Sequence, residues 1–408
     1  MTKKPRLKFG TFIAPWHALG EHPTLAIKRD MDLVVALDEL GYDEAWIGEH
    51  HSFAREIISN PMITIAALAE RTKRIRLGTG VVSLPYHHPL MIADDLLQLD
   101  HQTQGRVMLG VGPGALTSDA YMMGIPTESQ RERQAEALDA IMQLARSDEP
   151  ITIKTDWFEM NEAKLQMEWY SDPHPEFATA VTVTPSGPTL AGKHGISLLS
   201  VAGADNDAFA RVWGWTEEAA AEHGQTVDRR NWRVVVNLHI AETGEQAIAE
   251  VRDGFAKRAY WGDVRDKDQR IGGIFGGATD DIEVAMESRA IIVGSPEDAI
   301  EQIQYLMDLS GGFGTLLCFA HEWAPTPQVL HSYELLMRYV APHFQGHMDR
   351  LTWARDFVED NRRGIFGATP AAMVKAFDDA GKEMPDVLKE GFERMKKERE
   401  AVEASSGD

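Results

Sequence analysis

Residues 41–51, GYDEAWIGEHH, decide how this chain folds. Gly41 follows a helical pattern over residues 24–40 and stands where a glycine cap ends a helix. The apolar run that follows stops abruptly at Glu49, His50 and His51, which predicts a buried strand with a polar carboxyl end. Successive side chains on a strand point to opposite faces, so His50 and His51 do not face the same site. The stretch therefore predicts one working histidine at the end of a strand.

The same order of strand and helix recurs along the whole chain. A helical pattern follows each apolar run, which is typical of parallel strands joined by right-handed crossovers. Eight such units close most economically into a single (β/α)8 TIM barrel, with an open doubly wound sheet as the alternative. In a barrel the carboxyl ends of the strands carry the chemistry, which places His50 at the functional face. The expected strands cover residues 7–13, 75–84, 106–111, 178–184, 196–201, 233–241 and 314–319, together with one that ends at residues 49–50.

Insertions and an extension interrupt this repeat. Residues 157–167 are expected to form a small hairpin, and residues 262–289, which include RIGGIFGGATDD, show no firm periodicity. From residue 349 onward the chain is charged and helical, without another strand pattern. We therefore predict a barrel domain over residues 1–348 and a helical C-terminal appendage over residues 349–408.

The composition excludes several classes of partner. Lys and Arg total 41 against 63 Asp and Glu in 408 residues, which gives a net charge of −22. So negative a chain argues against nucleic acid and anionic membranes as partners. Cys318 is the single cysteine, so an intramolecular disulfide is excluded and a cysteine-based metal cluster is not expected. We expect a soluble, cytoplasmic protein, because no signal-type region and no apolar run of membrane-spanning length occurs.

Two glycine-containing turns are candidate ligand sites. Residues 109–115, LGVGPGA, match a dinucleotide fingerprint, but no clean helix follows them. They are better interpreted as a turn at the mouth of the fourth strand, where a flat ligand approaches the backbone. In residues 184–189, TPSGPT, Ser186 can cap the following helix and Pro188 suits its first turn. Such a helix terminus either is an ordinary cap or holds a phosphate without any basic residue.

Further candidates lie at the ends of the third and eighth strands. Residues 78–82, GTGVV, place glycines in a strand, where they mark a bulge, an unusual peptide or the close approach of a ligand. His87 and His88 add a polar rim, and His88 is also a candidate helix cap. His321 ends the eighth strand and brings a second imidazole to the same face.

The order and spacing of four motifs resemble those of the bacterial luciferase-like, flavin-dependent monooxygenases. The resemblance covers residues 7–344, and it implies a (β/α)8 barrel that binds reduced FMN supplied by a separate flavin reductase. Family enzymes react this flavin with O2 to give a C4a-(hydro)peroxide that oxygenates an organic substrate. Here the resemblance implies a small apolar substrate, such as a terpene (for example limonene) or a cyclic ketone, and a homodimer. The motifs are WIGEHH (46–51), RIRLGTGVVSLPYHHP (74–89), LDHQTQGRVMLGVGPGAL (99–116) and VGSPEDAIEQI (293–303).

The resemblance also assigns roles to individual residues. It implies that His50 is catalytic, with His321 as a second candidate, and that Gly80 and Val81 form a non-proline cis peptide beneath the flavin ring. Gly112 stands where luciferase itself carries a reactive cysteine, and this departure argues against light emission. Residues 262–289 correspond to a mobile lid in the family. The phosphate-binding turn is implied to contain Ser186, Gly187 and Thr189.

Three other functions remain open from the sequence. A deazaflavin (F420)-dependent oxidoreductase of the same superfamily exchanges hydride and needs no oxygen. A metal-dependent barrel hydrolase is the alternative from a different class, and a non-catalytic flavin-binding protein is the third. The hydrolase alternative depends on Glu49, His50, His51, His87 and His88 as ligands.

Overall fold

The fold was analysed on a computed structural model of the chain. The structure describes residues 6–405, apart from 15–16, 18–19, 53, 55, 183, 204–205, 260–278 and 280. Contacts between Cα atoms divide the chain into two compact units, Met1–Gln345 and Gly346–Asp408. The predicted assignment of a barrel domain to residues 1–348 and of an appendage to residues 349–408 remains a prediction.

Eight parallel strands close into a barrel in the first unit. Each strand pairs with its neighbours along the chain, and the last pairs with the first through Lys8 opposite Thr315. The predicted TIM barrel is therefore confirmed, and the open-sheet alternative is wrong. The strands are β1 (Lys8–Ile13), β2 (Glu44–Ile47), β3 (Arg76–Thr79), β4 (Val107–Gly112), β5 (Glu176–Val181), β6 (Ser197–Val201), β7 (Trp232–Val236) and β8 (Thr315–Phe319).

Helices follow the strands around the outside of the barrel, and their ends match the sequence signals. Gly41 adopts a left-handed conformation (φ 88°) and ends the first helix, as its position predicts. The Asn60 side chain accepts a hydrogen bond from the Ile63 N–H at the start of the second helix. The main helices are Pro23–Leu40, Pro61–Ala69, Pro89–Thr103, Gln130–Arg146, Ser186–His194, Asn206–Glu222, Gly244–Ala259, Pro296–Ser310 and Thr326–Leu335.

Trp46 fills the interior of the barrel. Its side chain is fully buried, and residues from six other strands, β1 and β4 to β8, belong to the same cluster. The indole N–H donates to Glu44 Oε2 at 3.0 Å, and the Arg233 guanidinium lies 5.0 Å from the ring centroid. The barrel is therefore a packed core and not a pore, in keeping with its class. Its apolar members include Phe12, Met108, Ala178, Leu199, Val235, Leu317 and Phe319.

A buried ion network closes the opposite end of the barrel from the catalytic face. Arg233 donates to both oxygens of Glu44 at 2.7 and 2.9 Å and to Glu176 Oε1 at 2.7 Å. Burial alone raises the pKa of a carboxyl group, but the neighbouring arginine outweighs it and lowers the pKa of Glu44 and Glu176. The ion pairs therefore hold three strands together at the amino ends of the barrel.

The structure corrects two details of the sequence prediction. The hairpin lies at Ile151–Lys154 and Glu159–Ala163, and not over residues 157–167. A strand that the sequence did not predict, Ile292–Gly294, pairs in parallel with Leu238–Ile240 beyond the end of β7. Most of the expected lid, residues 262–289, lies outside the described residues; within it, Ile282–Glu287 forms a short helix.

The second unit contains helices only. They cover Asp349–Asp360, Arg362–Gly367, Thr369–Asp379 and Asp386–Ser405, as the charged helical pattern predicts. Among the described residues, no helix has both the length and the apolar character needed to cross a membrane.

Candidate active site

His50 lies just beyond β2, at the carboxyl end of the barrel, between two carboxylates. Its Nδ1 lies 3.1 Å from Asp119 Oδ2 and its Nε2 lies 2.9 Å from Glu56 Oε2. The His50 side chain is 15% exposed, whereas those of Glu56 and Asp119 are 9% and 2% exposed. The ring is thus held from both sides in a nearly closed environment.

These neighbours change the acid–base character of His50. Burial lowers the pKa of an imidazole, but the bond to Asp119 and the pair with Glu56 together outweigh it and raise the pKa of His50 to about 10. The ordinary pKa of histidine is about 6.5, close to neutral pH. The raised pKa favours the protonated, positively charged form of His50 at neutral pH instead.

Asp119 is the functional neighbour that sequence reasoning missed. It lies on a six-residue helix, Thr117–Met122, in the connection after β4. Besides His50, its carboxylate accepts hydrogen bonds from the His51 backbone N–H at 3.2 Å and from the Ser52 hydroxyl. These bonds outweigh burial and lower the pKa of Asp119. The available signal was its place in the loop after β4, on the face where all strand ends meet.

His51 points into a different cluster from His50, although β2 ends at Ile47 and both histidines lie in the loop after it. Its Nε2 lies 2.8 Å from Glu49 Oε1, and His87 Nε2 lies 2.6 Å from the same oxygen. The other oxygen of Glu49 accepts a hydrogen bond from the Ser83 N–H at 2.7 Å. His50 takes no part in this cluster, and His88 instead caps the Pro89–Thr103 helix through Leu90 N–H. Of the five candidate metal ligands, only Glu49, His51 and His87 come together.

Gly80 and Val81 lie beside the end of β2, and the peptide bond between them is cis, as the resemblance implies. A Cβ atom on Gly48 would lie 3.5 Å from the Gly80 carbonyl oxygen, so the ends of β2 and β3 are in contact. Gly112, the last residue of β4, lies against Val81, since a Cβ atom there would be 2.7 Å from Val81 Cγ2. The structure thus brings Gly80, Val81 and Gly112 together.

Packing explains some of the glycines that the sequence associated with a ligand. A Cβ atom on Gly78 would lie 2.6 Å from Trp46 Cε3, inside the indole ring's contact distance. A Cβ atom on Gly80 would lie 2.9 Å from Phe12 Cε2 and 3.0 Å from Trp46 Cβ. These two glycines therefore make room for the barrel core, and a ligand is not needed to account for them.

The Ser186–His194 helix begins next to Gly112. A Cβ atom on Gly112 would lie 3.6 Å from Ala180 Cβ, and one on Gly187 would lie 2.6 Å from the Ala180 carbonyl oxygen. The prediction that Ser186 caps this helix is wrong: the helix starts at Ser186, with no side-chain cap, and the Ser186 hydroxyl pairs with that of Thr184 at 3.1 Å. Thr189 N–H already donates to the Pro185 carbonyl at 2.9 Å. The first turn thus retains backbone N–H groups without a side-chain cap.

His321 follows β8 and is engaged on three sides. Its Nε2 donates to the Leu238 carbonyl at 3.0 Å, and its Nδ1 accepts from the Trp323 N–H at 3.4 Å. Its ring stacks on Trp323 with a centroid distance of 3.8 Å. With both nitrogens hydrogen-bonded to the backbone and its ring stacked on Trp323, His321 lies in a different environment from that of His50.

Residues 7–311, from β1 to the end of the Pro296–Ser310 helix, match a known protein family. A model of the luciferase-like monooxygenases matches residues 7–311, which is most of the barrel and includes both His50 and Asp119. The chain belongs to this family. The resemblance inferred from the four motifs is therefore confirmed, and the protein is a monooxygenase.

Individual members of the luciferase-like monooxygenase family match nearly the whole chain. Limonene 1,2-monooxygenase from Rhodococcus erythropolis is 42% identical over 91% of this chain and 95% of its own length. The 4-hydroxyprotoasukamycin monooxygenase of Streptomyces nodosus subsp. asukaensis is 41% identical over 88% of this chain and 98% of its own.

A solved structure extends the comparison to the fold. The oxygenating constituent of 3,6-diketocamphane monooxygenase from Pseudomonas putida, a type II Baeyer–Villiger monooxygenase in complex with FMN, superimposes with a TM-score of 0.72. It is 27% identical and covers 83% of this chain and 98% of its own.

Proposed function

We propose that this luciferase-like monooxygenase is the oxygenase component of a two-component system that uses reduced FMN and O2. A separate flavin reductase supplies the reduced FMN through a transient encounter. The substrate is a small apolar compound, either a terpene such as limonene or a cyclic ketone. The names of the relatives support this substrate class, and the FMN complex of the diketocamphane enzyme supports the cofactor.

The observation that carries the proposal is a continuous glycine surface that ends at a helix terminus. Gly112 lies between Val81 and Ala180, and Ala180 in turn lies against Gly187. We place a flat ring over the Gly80–Val81 peptide and beside Gly112, whose missing side chain leaves room for the Val81 side chain. The backbone N–H groups at the start of the Ser186–His194 helix fit one phosphate, because a helix terminus attracts anions without any basic side chain.

This arrangement accounts for an anionic cofactor on a chain with a net charge of −22. It also favours a mononucleotide over a dinucleotide: β4 ends at Gly112 and the next described helix begins only at Thr117, so the strand–turn–helix of a dinucleotide site is not formed there. Reduced FMN would supply the two electrons that activate O2. We assign Ser186, Gly187 and Thr189 to the phosphate and Gly80, Val81 and Gly112 to the ring.

The role of His50 is to provide a positive charge beside the reacting atoms. A fixed cation stabilises negative charge that develops on oxygen, and it does so best in a site with little water. His51 and His87 belong to the Glu49 cluster and have no such place. His321 contributes a stacked ring at the same face of the barrel.

Single-turnover mixing tests this function. Protein mixed anaerobically with reduced FMN, and then with O2 and limonene or a cyclic ketone, should give an oxygenated product without any reductase present. The flavin should return fully oxidised, with little hydrogen peroxide. Product formation with reduced F420 under nitrogen, and none with FMN, would establish the hydride-transfer alternative instead.

One observation keeps a second function testable. Glu49, His51 and His87 place one ligand atom each within 4.8 Å of one another, which is the spacing of a metal site. A hydrolase of this kind would lose activity with a chelator and regain it with zinc. We favour the flavin function, because the Glu49 carboxylate already accepts a hydrogen bond from Ser83 and pairs with both imidazoles.

A further inference from the structure

The two carboxylates beside His50 are held in different ways. Asp119 is fixed by the Ser52 hydroxyl and the His51 N–H as well as by His50 Nδ1. Glu56 Oε2 lies 2.9 Å from Nε2 but off the direction of the N–H bond, so within the described part of the chain this buried oxygen accepts no hydrogen bond. One ring nitrogen is therefore anchored, and the other faces an anion without being tied to it.

We propose that Asp119 is a positioning residue: it keeps His50 an imidazolium and anchors Nδ1–H, so that Nε2–H is directed at the reactants. Glu56 is the second anion of the pair and favours the charged ring without accepting Nε2–H. The catalytic meaning of this inference rests on the proposed function, but the protonation state does not.

Charge and geometry lead to the same arrangement. A neutral imidazole has one nitrogen with a lone pair. In one tautomer that lone pair points at Asp119 Oδ2, 3.1 Å from Nδ1, and in the other it leaves an uncharged Nε2 only 2.9 Å from Glu56 Oε2. Only the imidazolium has a proton on both sides. Among the described residues, the charged groups that face the ring are Glu56, from the loop after β2, and Asp119, from the Thr117–Met122 helix.

In this arrangement His50 acts as a hydrogen-bond donor and not as a general base, and Asp119 positions it. An imidazolium whose Nδ1–H is already bound cannot accept a proton from a reactant. It can donate a charge-assisted hydrogen bond from Nε2, which is about twice as strong as a neutral one. Asp119 acts on the reaction only through His50, since its own oxygens are occupied by His50, His51 and Ser52.

The first test needs no cofactor and no turnover. In the full-length protein labelled with ¹⁵N-histidine, the ring resonances of His50, assigned by their loss in His50→Gln, should remain those of an imidazolium to above about pH 9. In Asp119→Asn the His50 titration should move down by at least about one pH unit. Glu56→Gln should also lower it, and this variant serves if Asp119→Asn does not fold.

A matched control comes from a distant pair. His331 Nε2 lies 2.6 Å from Glu242 Oε1 on the surface, so Glu242→Gln removes a carboxylate from another histidine and should leave the His50 titration unchanged. Titration of His50 near its ordinary pKa of about 6.5 in the wild-type protein would overturn the inference. So would an unchanged titration in both Asp119→Asn and Glu56→Gln.

The second test measures whether Asp119 influences the reaction through His50. The fraction of O2 that becomes product, and not hydrogen peroxide, is measured against pH in single turnovers. Wild-type protein should stay coupled up to about pH 9, whereas Asp119→Asn should uncouple above its own, lower His50 pKa. A lowered pKa with an unchanged coupling profile would overturn the positioning role. If the wild-type protein oxygenates nothing but His50 titrates as expected, the proposed function fails and the assignment of charge stands.

Discussion

Gly110 on β4 is a position where a single added methyl group should measurably destabilise the barrel. A Cβ atom there would lie 2.1 Å from the Thr79 carbonyl oxygen and 2.9 Å from Trp46 Cζ3. Thr79 also bridges the two strands, because its hydroxyl accepts from the Gly110 N–H and donates to the Gly110 carbonyl at 2.9 and 2.7 Å. Gly110→Ala therefore pushes β3 and β4 apart.

The size of the effect follows from that distance. The methyl group lies 3.0 − 2.1 = 0.9 Å inside the closest approach that Cβ atoms make, and the obstacle is backbone. Overpacking that side chains can absorb costs about 1–3 kcal/mol in the free energy of unfolding, so we expect about 3 kcal/mol or more here. In a barrel of this size, that corresponds to a fall in melting temperature of about 5 °C. Thr79 precedes the Gly80–Val81 peptide, so the affinity for FMN should also fall, by about tenfold.

Differential scanning calorimetry and flavin titration measure both effects. The control is Gly214→Ala in the Asn206–Glu222 helix, where an added Cβ meets no other atom within 4 Å. Alanine in a helix is about 0.5–1 kcal/mol more favourable than glycine, so this variant should melt slightly above the wild-type protein. A Gly110→Ala protein that melts and binds FMN like the wild type would refute the packing that we describe around Trp46.

Other expected outcomes concern the charged groups. His50→Gln should retain FMN binding but lose about 10²–10⁴-fold in product formation and release hydrogen peroxide, whereas His51→Ala should be milder; equal losses in both, reversed by zinc, would return the site to the metal interpretation. The raised pKa of His50 contributes stability that is fully present below about pH 6.5 and is lost as the pH rises through about 10, so urea unfolding should show the advantage of wild type over His50→Gln shrinking across that window. Arg233→Met should lower the free energy of unfolding by about 3–5 kcal/mol, because it removes the guanidinium that pairs with both oxygens of the fully buried Glu44, whereas Glu176 keeps its pair with Arg76; an unchanged urea midpoint would contradict this.

The barrel was predictable because its strands are separated by helices with clear ends. Gly41 and Asn60 behave as their sequence contexts indicate, and all eight predicted strands form. The strand Ile292–Gly294 was missed because three residues are too few to show a period. The hairpin was placed too late because its first strand, Ile151–Lys154, alternates between half-buried and exposed residues and looked like a loop.

The site was predictable only as far as single residues carry a signal. Strand alternation separated His50 from His51, and the structure places them in different clusters. The charge on His50 was not predictable, because Asp119 lies 69 residues away in the sequence. The reason for a glycine at position 78 was not predictable, because it depends on the Trp46 ring lying against that position. The periodicity of the sequence does not show how a side chain is oriented inside the barrel.

The filled barrel interior limits how ligands can reach the site. Trp46 and the apolar side chains around it block the axis, and the Arg233 ion network lies beneath them. Under the proposed function, flavin, oxygen and organic substrate would therefore all enter from the strand ends. Gly80 packs directly against Trp46 and Phe12. We therefore expect a flavin on the Gly80–Val81 peptide to bind before the organic substrate and to leave after the product.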